Sequence, residues 1–305
     1  MSDFFNSKYP IYVPGMYGCS DADLAIAVSK AGCVPSIVSS SENFIDELEK
    51  CSVGIPNKEF AVCLESSKAD ITNSNYREII KKIIEVSPKY IEYWPSKKKT
   101  LTGVSTNTGF SDIENDKQVR DLLKLLGKTS KIIMRVYQPE QSAYDDLIDA
   151  YSLKSNESAG GFGNYSSLEL LAEYKKFTNK PLIPQGGIGT SGQIKELLKN
   201  GAVAAGIGTR FAVSIESRLS ENAKIMIVNS TVDNLTILED TNQRVLLFDK
   251  DMDLTLEGSD WNRCNHLARG IKTGKTGLVY VGNAINQVTK ITSVAEIVAE
   301  LVKDL

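Results

Sequence analysis

Two apolar runs that end in glycine-rich turns constrain this chain most, because they enclose one helical segment within residues 181–211. The first run, PLIPQ, ends at Gly186-Gly187, and the second, AVAAGI, ends at Gly208-Thr209. Glycine permits close approach and backbone conformations that other residues avoid, so such turns expose backbone N–H groups. Two of these turns side by side, one of them opening a helix, predict a binding site for a phosphate group.

The rest of the chain repeats this order of strand and helix. Eight short apolar segments read as strands, at residues 11–15, 33–39, 60–64, 90–94, 131–137, 151–153, 181–184 and 202–207. Segments with helical spacing lie between them, at 21–31, 42–50, 76–86, 118–126, 142–150, 168–177 and 193–199. Continuous apolar strands are typical of a parallel sheet covered on its outer face. The pattern therefore predicts an α/β fold, a (β/α)8 TIM barrel.

The pattern changes after the eighth strand. Residues 220–253 are polar, with short β-prone pieces at 236–238 and 244–248, and residues 261–271 have helical spacing. We predict an inserted cap subdomain near the C-terminus, at residues 214–277. The barrel domain then comprises residues 1–213 and 278–305, and its last amphipathic helix, within 289–305, packs back on the barrel.

Composition narrows the class of partner and the location. The net charge is −3, with 35 basic and 38 acidic residues mixed along the chain, which argues against nucleic acid or an anionic membrane as the main partner. No apolar run reaches the ~18 residues of a transmembrane helix, and the N-terminus lacks a signal-peptide pattern, so we expect a cytoplasmic protein. Five cysteines without CxxC pairing predict reduced, mostly buried thiols. A homodimer is left open.

Two glycine motifs invite a nucleotide-binding interpretation. Residues 187–192 (GIGTSG) fit GxGxxG, which is typical of dinucleotide folds, but the next strand ends in Gly208-Thr209 without an acidic residue for a ribose. A phosphate site at strands seven and eight of a barrel is the stronger interpretation, and plain tight turns are the alternative. Residues 274–276 (GKT) resemble the end of a P-loop, but Arg269 stands where its first glycine belongs, so we reject that site.

Three further features are candidates for the site. The turn at residues 158–163 (SAGGFG) would let a flat ligand lie against the backbone, or it is simply a flexible turn. Arg135, in the fifth strand, would meet an anion or the electron-rich edge of a cofactor if it points to the barrel mouth; otherwise it pairs with an acid. The single histidine, His266, nearly excludes a histidine-based metal site or triad, and we predict no metal.

Taken together, these motifs resemble the nitronate monooxygenase family (formerly 2-nitropropane dioxygenase), which also includes flavin-dependent enoyl-acyl-carrier-protein reductases. Residues 14–39 are similar to its opening strand and helix, and residues 159–161 to its Ala-Gly-Gly turn. Residues 186–188 and 208–211 are similar to its two phosphate-binding turns, and residues 280–298 to its closing strand and final helix.

The resemblance implies an FMN-binding barrel, in which Gly187, Gly208 and Thr209 give backbone donors to the FMN phosphate. It also implies that Gly15 and Met16 lie near the flavin ring. The expected cofactor-binding residues are Gly15, Met16, Arg135, Ala159, Gly160, Gly161, Gly186, Gly187, Gly208 and Thr209. Converging N–H dipoles stabilise a phosphate dianion most when it lies away from bulk water, which agrees with this placement.

The chain departs from the family at Phe162, because the family's turn reads Ala-Gly-Gly-His and its histidine serves as a base or polar active-site group. Phenylalanine can neither accept a proton nor donate a hydrogen bond, so proton abstraction from a neutral nitroalkane is not expected. An already ionised nitronate would not need that base. A milder departure is Gly282-Asn283 in place of Gly-Gln. No sequence signal identifies Tyr137, Tyr165 or His266 as a replacement.

The leading hypothesis is an FMN-dependent oxidoreductase that oxidises a nitronate-type or related small substrate, and Glu216 with its neighbouring motifs favours that branch. One alternative is an enoyl-acyl-carrier-protein reductase with NAD(P)H as electron donor, acting on an acyl-carrier-linked substrate. A second is a flavin-binding accessory protein that lacks the usual catalysis, a possibility raised by Phe162. A third is a flavin-free barrel enzyme that acts on a phosphorylated substrate.

Overall fold

The computed structural model describes residues 4–41, 43–65, 74–95, 98–99, 105–106, 116–140, 142–238, 242–249 and 269–305. His266, Cys264 and most of the helix predicted at 261–271 lie outside these ranges; residues 269–273 are helical. Within the described ranges, no helix combines the length and the apolar composition that crossing a membrane requires. The four described cysteines, Cys19, Cys33, Cys51 and Cys63, are buried and unpaired, as predicted.

Strands and helices alternate along the first two thirds of the chain. The strands are β1 (Ile11–Tyr12), β2 (Ser36–Val38), β3 (Ala61–Glu65), β4 (Tyr90–Trp94), β5 (Lys98–Lys99), β6 (Ser105–Thr106), β7 (Lys131–Val136), β8 (Ala150–Lys154), β9 (Gly160–Gly161), β10 (Leu182–Gln185), β11 (Ala205–Gly206), β12 (Leu235–Leu238), β13 (Gln243–Leu247) and β14 (Leu278–Val279). The helices are α1 (Ala22–Lys30), α2 (Phe44–Gly54), α3 (Ser74–Val86), α4 (Asp116–Leu126), α5 (Ser167–Tyr174), α6 (Ser191–Lys199), α7 (Thr209–Ala212), α8 (Glu221–Val228) and α9 (Val294–Val302).

Eight of these strands form one parallel sheet, in the order β1-β11-β10-β8-β7-β4-β3-β2. The two ends of the sheet meet through a parallel bridge between Tyr12 and Val34. There the backbone N–H of Val13 donates to the Val34 carbonyl (2.8 Å), and the N–H of Val34 donates to the Ile11 carbonyl (3.0 Å). The sheet thus closes on itself, and the predicted (β/α)8 barrel is confirmed.

Helix starts are fixed by short polar side chains. Five helices are preceded by a residue whose side chain accepts a backbone N–H of the first turn: Asp21 (α1), Ser166 (α5), Thr190 (α6), Ser220 (α8) and Ser293 (α9). Such caps satisfy N–H groups that have no partner within the helix. Thr190 caps α6 immediately after the first glycine turn, so the chain leaves that turn in a defined direction.

The helix predicted at 142–150 is wrong. The structure has only a 3-10 turn at Asp145–Leu147, and strand β8 begins at Ala150. Tertiary contacts explain the difference: the Tyr151 hydroxyl donates to the Asp145 carboxylate (2.6 Å), and the Asp149 carboxylate accepts a backbone N–H from β7 (2.7 Å). These bonds hold the acidic side chains toward the barrel and override the helical pattern of the segment.

Apolar side chains fill the barrel at the amino ends of its strands. They come from alternating strand positions: Tyr12, Val34, Ala61, Tyr90, Ile133, Ala150, Ile183 and Ala204. The N-terminal Phe4 and Phe5 join this cluster, with the Phe5 ring stacked on Tyr12 and edge-on to Tyr90. This plug leaves the carboxyl ends of the strands, here called the barrel mouth, as the end where a site can form.

A second sheet is antiparallel and has β13 at its centre. Strands β12 and β14 pair with β13, and so does β9, which contains Gly160 and Gly161 of the predicted ligand turn. A separate hydrophobic cluster, which includes Val245, Ile271 and Val279, packs beside this sheet. Since β9 and β14 lie outside residues 214–277, the sheet recruits strands from both sides of that range, and the division of the chain into two domains stays a prediction.

Candidate active site at the barrel mouth

The register of three neighbouring strands brings the two glycine turns (186–187 and 208–209) together. Gln185 of β10 and Tyr12 of β1 are both paired with Gly206 of β11. The residues that follow these pairs therefore leave the sheet at the same edge. Met16 follows β1 and lies over the second turn, because its Sδ is 3.3 Å from the point where a β-carbon on Gly208 would stand.

Three backbone donors in these turns are without partners. The N–H groups of Gly187, Gly208 and Thr209 form no hydrogen bond to any residue that the structure describes. These are the three groups that the sequence predicted as donors to a phosphate. Backbone N–H groups in folded proteins are almost always paired with protein, water or ligand. An edge with three of them together is suited to an anion that accepts several hydrogen bonds.

Gly187 has a conformation that only glycine adopts easily. Its φ is 70°, in the left-handed region, and an added β-carbon would stand 2.6 Å from the Glu157 carboxylate. By contrast, Gly192, the third glycine of the GxGxxG pattern, has nothing within 4 Å of an added β-carbon. A dinucleotide fold uses that glycine for close helix–strand packing, so the open space around Gly192 supports the barrel interpretation.

Residues 282–283 connect the second glycine turn to the turn at residues 157–161. The backbone N–H of Gly282 donates to the Thr209 hydroxyl (3.2 Å), and the N–H of Asn283 donates to the Glu157 carbonyl (2.9 Å). A β-carbon on Gly282 would be 2.7 Å from that same carbonyl, so the backbones are in close contact. Gly282 and Asn283 thus hold the turns together through their backbone N–H groups, and the Asn283 side chain is left available for other contacts.

Arg210 and Glu216 both anchor the last helix. Arg210 Nη1 donates to the Gln287 carbonyl (2.5 Å), and its Nη2 pairs with Glu300 of α9. Both carboxylate oxygens of Glu216 accept the backbone N–H of Val294 (3.1 and 3.0 Å), the first residue of α9. Carboxylates stabilise helix N-termini through the helix dipole, so Glu216 has a structural role that does not distinguish a monooxygenase from a reductase.

The Ala159-Gly160-Gly161 turn contributes a strand to the second sheet. Gly160 pairs with Arg244 and Gly161 with Gln243, and the Tyr280 ring lies 3.6 Å from the point of a β-carbon on Gly160. The predicted ligand-facing turn is therefore also an edge strand, held by β13 on one side.

Phe162, which the sequence places where we expect the family's histidine, packs against a cation. Its side chain is only 8% exposed, and the Arg244 guanidinium carbon lies 4.6 Å from the ring centroid. Arg244 Nη1 also donates to the carbonyls of Asn156 (2.5 Å) and Ser158 (3.1 Å). The chain thus places an arginine from the second sheet beside the residue that lacks a proton-accepting group.

Glu157 faces the first glycine turn. Its carboxylate lies against Gly187 and makes no hydrogen bond or ion pair with any residue in the described ranges. Burial raises the pKa of Glu157, and the nearby charge of Arg244 opposes that rise. A carboxylate held at this place without partners is itself a small anion beside the three open N–H groups.

A buried carboxylate, Glu92, lies at the middle of the barrel below the mouth. Side chains from five other strands donate to it: Tyr12 (2.7 Å), Cys63 (3.0 Å), Arg135 (3.0 Å), Ser152 (2.7 Å) and Gln185 (3.2 Å). The network reaches the mouth through Cys63, whose Sγ accepts the backbone N–H of Gly15 at 3.2 Å. Gly15 packs so closely that a β-carbon would stand 2.5 Å from this sulfur.

Charge states follow from this arrangement. Burial alone would raise the pKa of Glu92, but the charge of Arg135 and the hydrogen bonds of its donors hold it well below the ordinary value. Burial also raises the pKa values of Cys63 and Tyr12, and the Glu92 charge raises them further. Glu92 is therefore ionised, and Cys63 and Tyr12 remain protonated donors.

Arg135 takes the alternative role that its position in a strand left open, since it pairs with an acid. Besides its bond to Glu92, its guanidinium carbon lies 3.6 Å from the centroid of the Trp94 ring, and the side chain is only 4% exposed. A direct contact between Arg135 and a cofactor stays a prediction.

The residues at the barrel mouth offer the kinds of hydrogen-bond donor and acceptor that FMN would need. Besides the three N–H groups, six buried side-chain atoms have no hydrogen-bond partner within the described ranges, and three of them belong to residues near the mouth: Trp94 Nε1, Asn283 Oδ1 and Gln287 Oε1. Gln287 packs against Gly189 of the first turn, and amide groups can present either N–H or C=O after a 180° flip. A ligand with a phosphate, hydroxyls and ring carbonyls could satisfy such donors and acceptors. Among the described residues of the mouth, Glu157 carries a charge that opposes a phosphate here.

Sequence reasoning found the glycine turns but missed Glu92, Trp94, Glu157 and Arg244. Glu92 could have been found, because a charge inside the apolar strand YIEYW is as unusual as Arg135 in KIIMRV. The other residues gave no such signal. Among the described residues, no group of three histidine, cysteine or acidic side chains could hold a metal ion.

Comparison with known proteins agrees with this geometry. The family model of nitronate monooxygenase matches residues 1–304. FabK from Thermotoga maritima is similar in structure, with a TM-score of 0.76 at 21% identity, covering 99% of this chain and 94% of that one. Nitroalkane oxidase from Streptomyces ansochromogenes also has a TM-score of 0.76, at 16% identity, covering 98% and 96%.

The enoyl reductase domain of MlnA from Bacillus amyloliquefaciens has a TM-score of 0.68 at 13% identity, covering 98% of this chain and 94% of that one. At these identities the likeness shows the fold alone. A search of curated protein sequences found no match.

Proposed function

This chain belongs to the nitronate monooxygenase family, whose members are flavin-dependent oxidoreductases, and we propose that it oxidises a nitronate-type anion with FMN bound at the barrel mouth. One observation carries the proposal: the N–H groups of Gly187, Gly208 and Thr209, at neighbouring strand ends, have no partner in the part of the chain that the structure describes. An anion with several acceptor oxygens satisfies such a set of donors.

The side chains around the mouth have distinct tasks in this proposal. Gly187, Gly208 and Thr209 hold the phosphate, and Gly282 keeps the Thr209 hydroxyl in place. Gly15 and Met16 border the ring-binding space, with Gly15 fixed from below by Cys63. Bound FMN would supply transfer of electrons between the substrate and an acceptor.

The nature of residue 162 favours a substrate that is already ionised. A neutral nitroalkane must lose a proton from carbon before it can be oxidised, and Phe162 offers no group to accept it. No histidine occurs among the described residues. A nitronate has already lost that proton, so its oxidation needs a binding site and a flavin but no base.

A reductase remains a second candidate because one structural neighbour is named as an enoyl reductase domain. In that case NAD(P)H would supply electrons and the substrate would be an enoyl thioester, free or linked to an acyl carrier. Phe162 also supports a third candidate, an accessory protein that binds flavin without turnover.

Reconstitution separates these candidates. Purified protein is incubated with FMN and freed of excess, and its visible spectrum and bound flavin are measured. Oxygen uptake with a nitronate in the absence of NAD(P)H supports the proposal. NAD(P)H-dependent loss of the enoyl double bond supports the reductase instead. Bound flavin with neither turnover supports the accessory protein, and protein that cannot be reconstituted contradicts a flavin function altogether.

A further inference from the structure

Arg244 offers hydrogen-bond donors that the described part of the chain does not use. Its Nη1 is committed to the carbonyls of Asn156 and Ser158, which hold the guanidinium in one orientation. Its Nε and Nη2 have no partner among the residues that the structure describes. A guanidinium carries five N–H donors in a planar fork, so at least one full side of the fork remains open.

The surroundings make these open donors effective for binding. The Phe162 ring covers one face of the guanidinium, and the side chain is half-buried in the second sheet. Burial lowers the pKa of Arg244, and among the described residues the nearby charge of Glu157 raises it. Glu157 nevertheless lies against Gly187 and forms no ion pair with Arg244. A partly desolvated cation without a paired acid gains most from an anionic ligand.

Two turns of the barrel mouth meet at this arginine. Arg244 is in register with Gly160, its Nη1 binds carbonyls on both sides of Glu157, and Glu157 in turn reaches Gly187. The guanidinium thus lies beside the Phe162 ring and binds the backbone on both sides of Glu157, the residue that reaches the glycine turn to which we assign the phosphate.

We propose that Arg244 binds the substrate as a small organic oxyanion, a nitronate or a carboxylate with two oxygens in one plane. This inference rests on the proposed function and specifies its substrate class. The planar fork of arginine matches two coplanar oxygens, which a lysine cannot do. Electrostatic selection of an anion by Arg244 replaces proton abstraction from a neutral substrate, the chemistry that Phe162 cannot perform.

The test compares an unreactive anion with its neutral isostere. Propionate and propionamide are titrated into FMN-loaded protein, and binding is followed by the flavin absorbance difference spectrum. We expect Arg244→Gln to weaken propionate binding about tenfold or more, because the substitution removes a charge-assisted hydrogen bond to the anion. Propionamide binding should change by less than about twofold. Arg244→Lys should recover only part of the loss, because it restores charge without the fork.

Arg120→Gln is the matched control, since Arg120 pairs with the exposed Asp146 near the outer helix α4. It should leave binding of both probes unchanged. Thermal unfolding and FMN affinity of every variant are measured in parallel, because Arg244 Nη1 also supports the 156–158 turn. Equal loss of propionate and propionamide binding in Arg244→Gln would show a purely structural role and overturn the proposal.

Propionate binding that is undetectable in the wild type, or unchanged in Arg244→Gln, would overturn it too. The same titrations by calorimetry on flavin-free protein keep this inference separate from the proposed function. Protein that never binds FMN contradicts the proposed function. Propionate binding that does not depend on Arg244 contradicts the present inference alone.

Discussion

The Glu157 carboxylate lies directly against Gly187, with Cδ and Oε2 each 2.6 Å from the point where a β-carbon on Gly187 would stand. It places a negative charge beside the N–H groups that we assign to the cofactor phosphate. Glu157 must therefore become protonated or turn away when a phosphate binds, and cofactor affinity should depend on its charge.

Removing that charge should strengthen cofactor binding. We expect Glu157→Gln to bind FMN on the order of tenfold more tightly at pH 8, because two like charges a few ångströms apart at a partly exposed site repel by about 1–4 kcal/mol. Fluorescence quenching of FMN measures the affinity. Since burial raises the pKa of Glu157, wild-type affinity should approach that of the variant as pH falls toward that pKa.

The variant provides the control for this pH dependence, because the phosphate of FMN itself titrates near pH 6 in both proteins. Only the difference between the two curves reports on Glu157. Parallel curves with no difference at any pH would mean that the carboxylate does not face the cofactor.

Gly187→Ala should prevent cofactor binding and destabilise the fold. A side chain at φ 70° costs about 1–2 kcal/mol, and its β-carbon would collide with the Glu157 carboxylate. Gly192→Ala is the matched control in the same motif: Gly192 lies in helix α6 with open space around it, so the substitution should stabilise by about 0.5–1 kcal/mol. Urea unfolding and FMN titration measure both effects, and similar behaviour of the two variants would contradict this account.

Glu92 and Arg135 should stabilise the fold together, so that removing either one alone costs more than removing both. Glu92→Gln leaves a buried guanidinium without its counter-charge, and we expect a loss of about 3–5 kcal/mol in the free energy of unfolding. Arg135→Met should cost a similar amount, while the double variant should recover part of it. A double-mutant cycle in urea measures the coupling, and additive losses would show that the two side chains are independent.

Lowering the pH should destabilise the protein through the Glu92 carboxylate. Because the pKa of Glu92 is lowered in the folded protein, its contribution to stability is present above the ordinary glutamate value of about 4.3 and is lost as pH falls below that value toward the folded pKa. The wild type should therefore lose more stability than Glu92→Gln between about pH 4.3 and the folded pKa. Thermal unfolding across this range is the measurement, and equal slopes for both proteins would contradict the assignment.

Phe162→His should introduce a base at the position where the resemblance to the family implies a histidine. We expect oxygen uptake with a neutral nitroalkane to rise above the wild-type level, with uptake on nitronate changed much less. The neighbouring Arg244 should lower the pKa of the new imidazole, because a cation disfavours a second positive charge, so activity should persist at mildly acidic pH. Phe162→Leu serves as the control for loss of the ring alone and should gain no such activity.

The fold was predictable because each barrel strand has its own apolar run, and these runs depend only on local sequence. The segment at 142–150 failed because Tyr151 and Asp149 bind partners on other strands, which a helical spacing cannot reveal. Tertiary contacts override weak local preference in such short segments.

The candidate site was predictable only where backbone conformation dictates residue type. Gly187 is visible in the sequence because a side chain there would clash with Glu157. Arg244 and Glu157 meet only through the pairing of β9 with β13, which joins residues about 80 positions apart. Glu92 and Arg135 meet inside the barrel in the same way, so the partner of Arg135 could not be chosen from the sequence.

The pairing of β9 with β13 has a consequence for engineering. Because the Gly160–Gly161 backbone is hydrogen-bonded to β13, lengthening β13 by one residue would slip the register, exchange which side chains face the barrel and withdraw Arg244 from Phe162. Chimeras that graft another relative's specificity onto this barrel should therefore transplant both strands as one inseparable module.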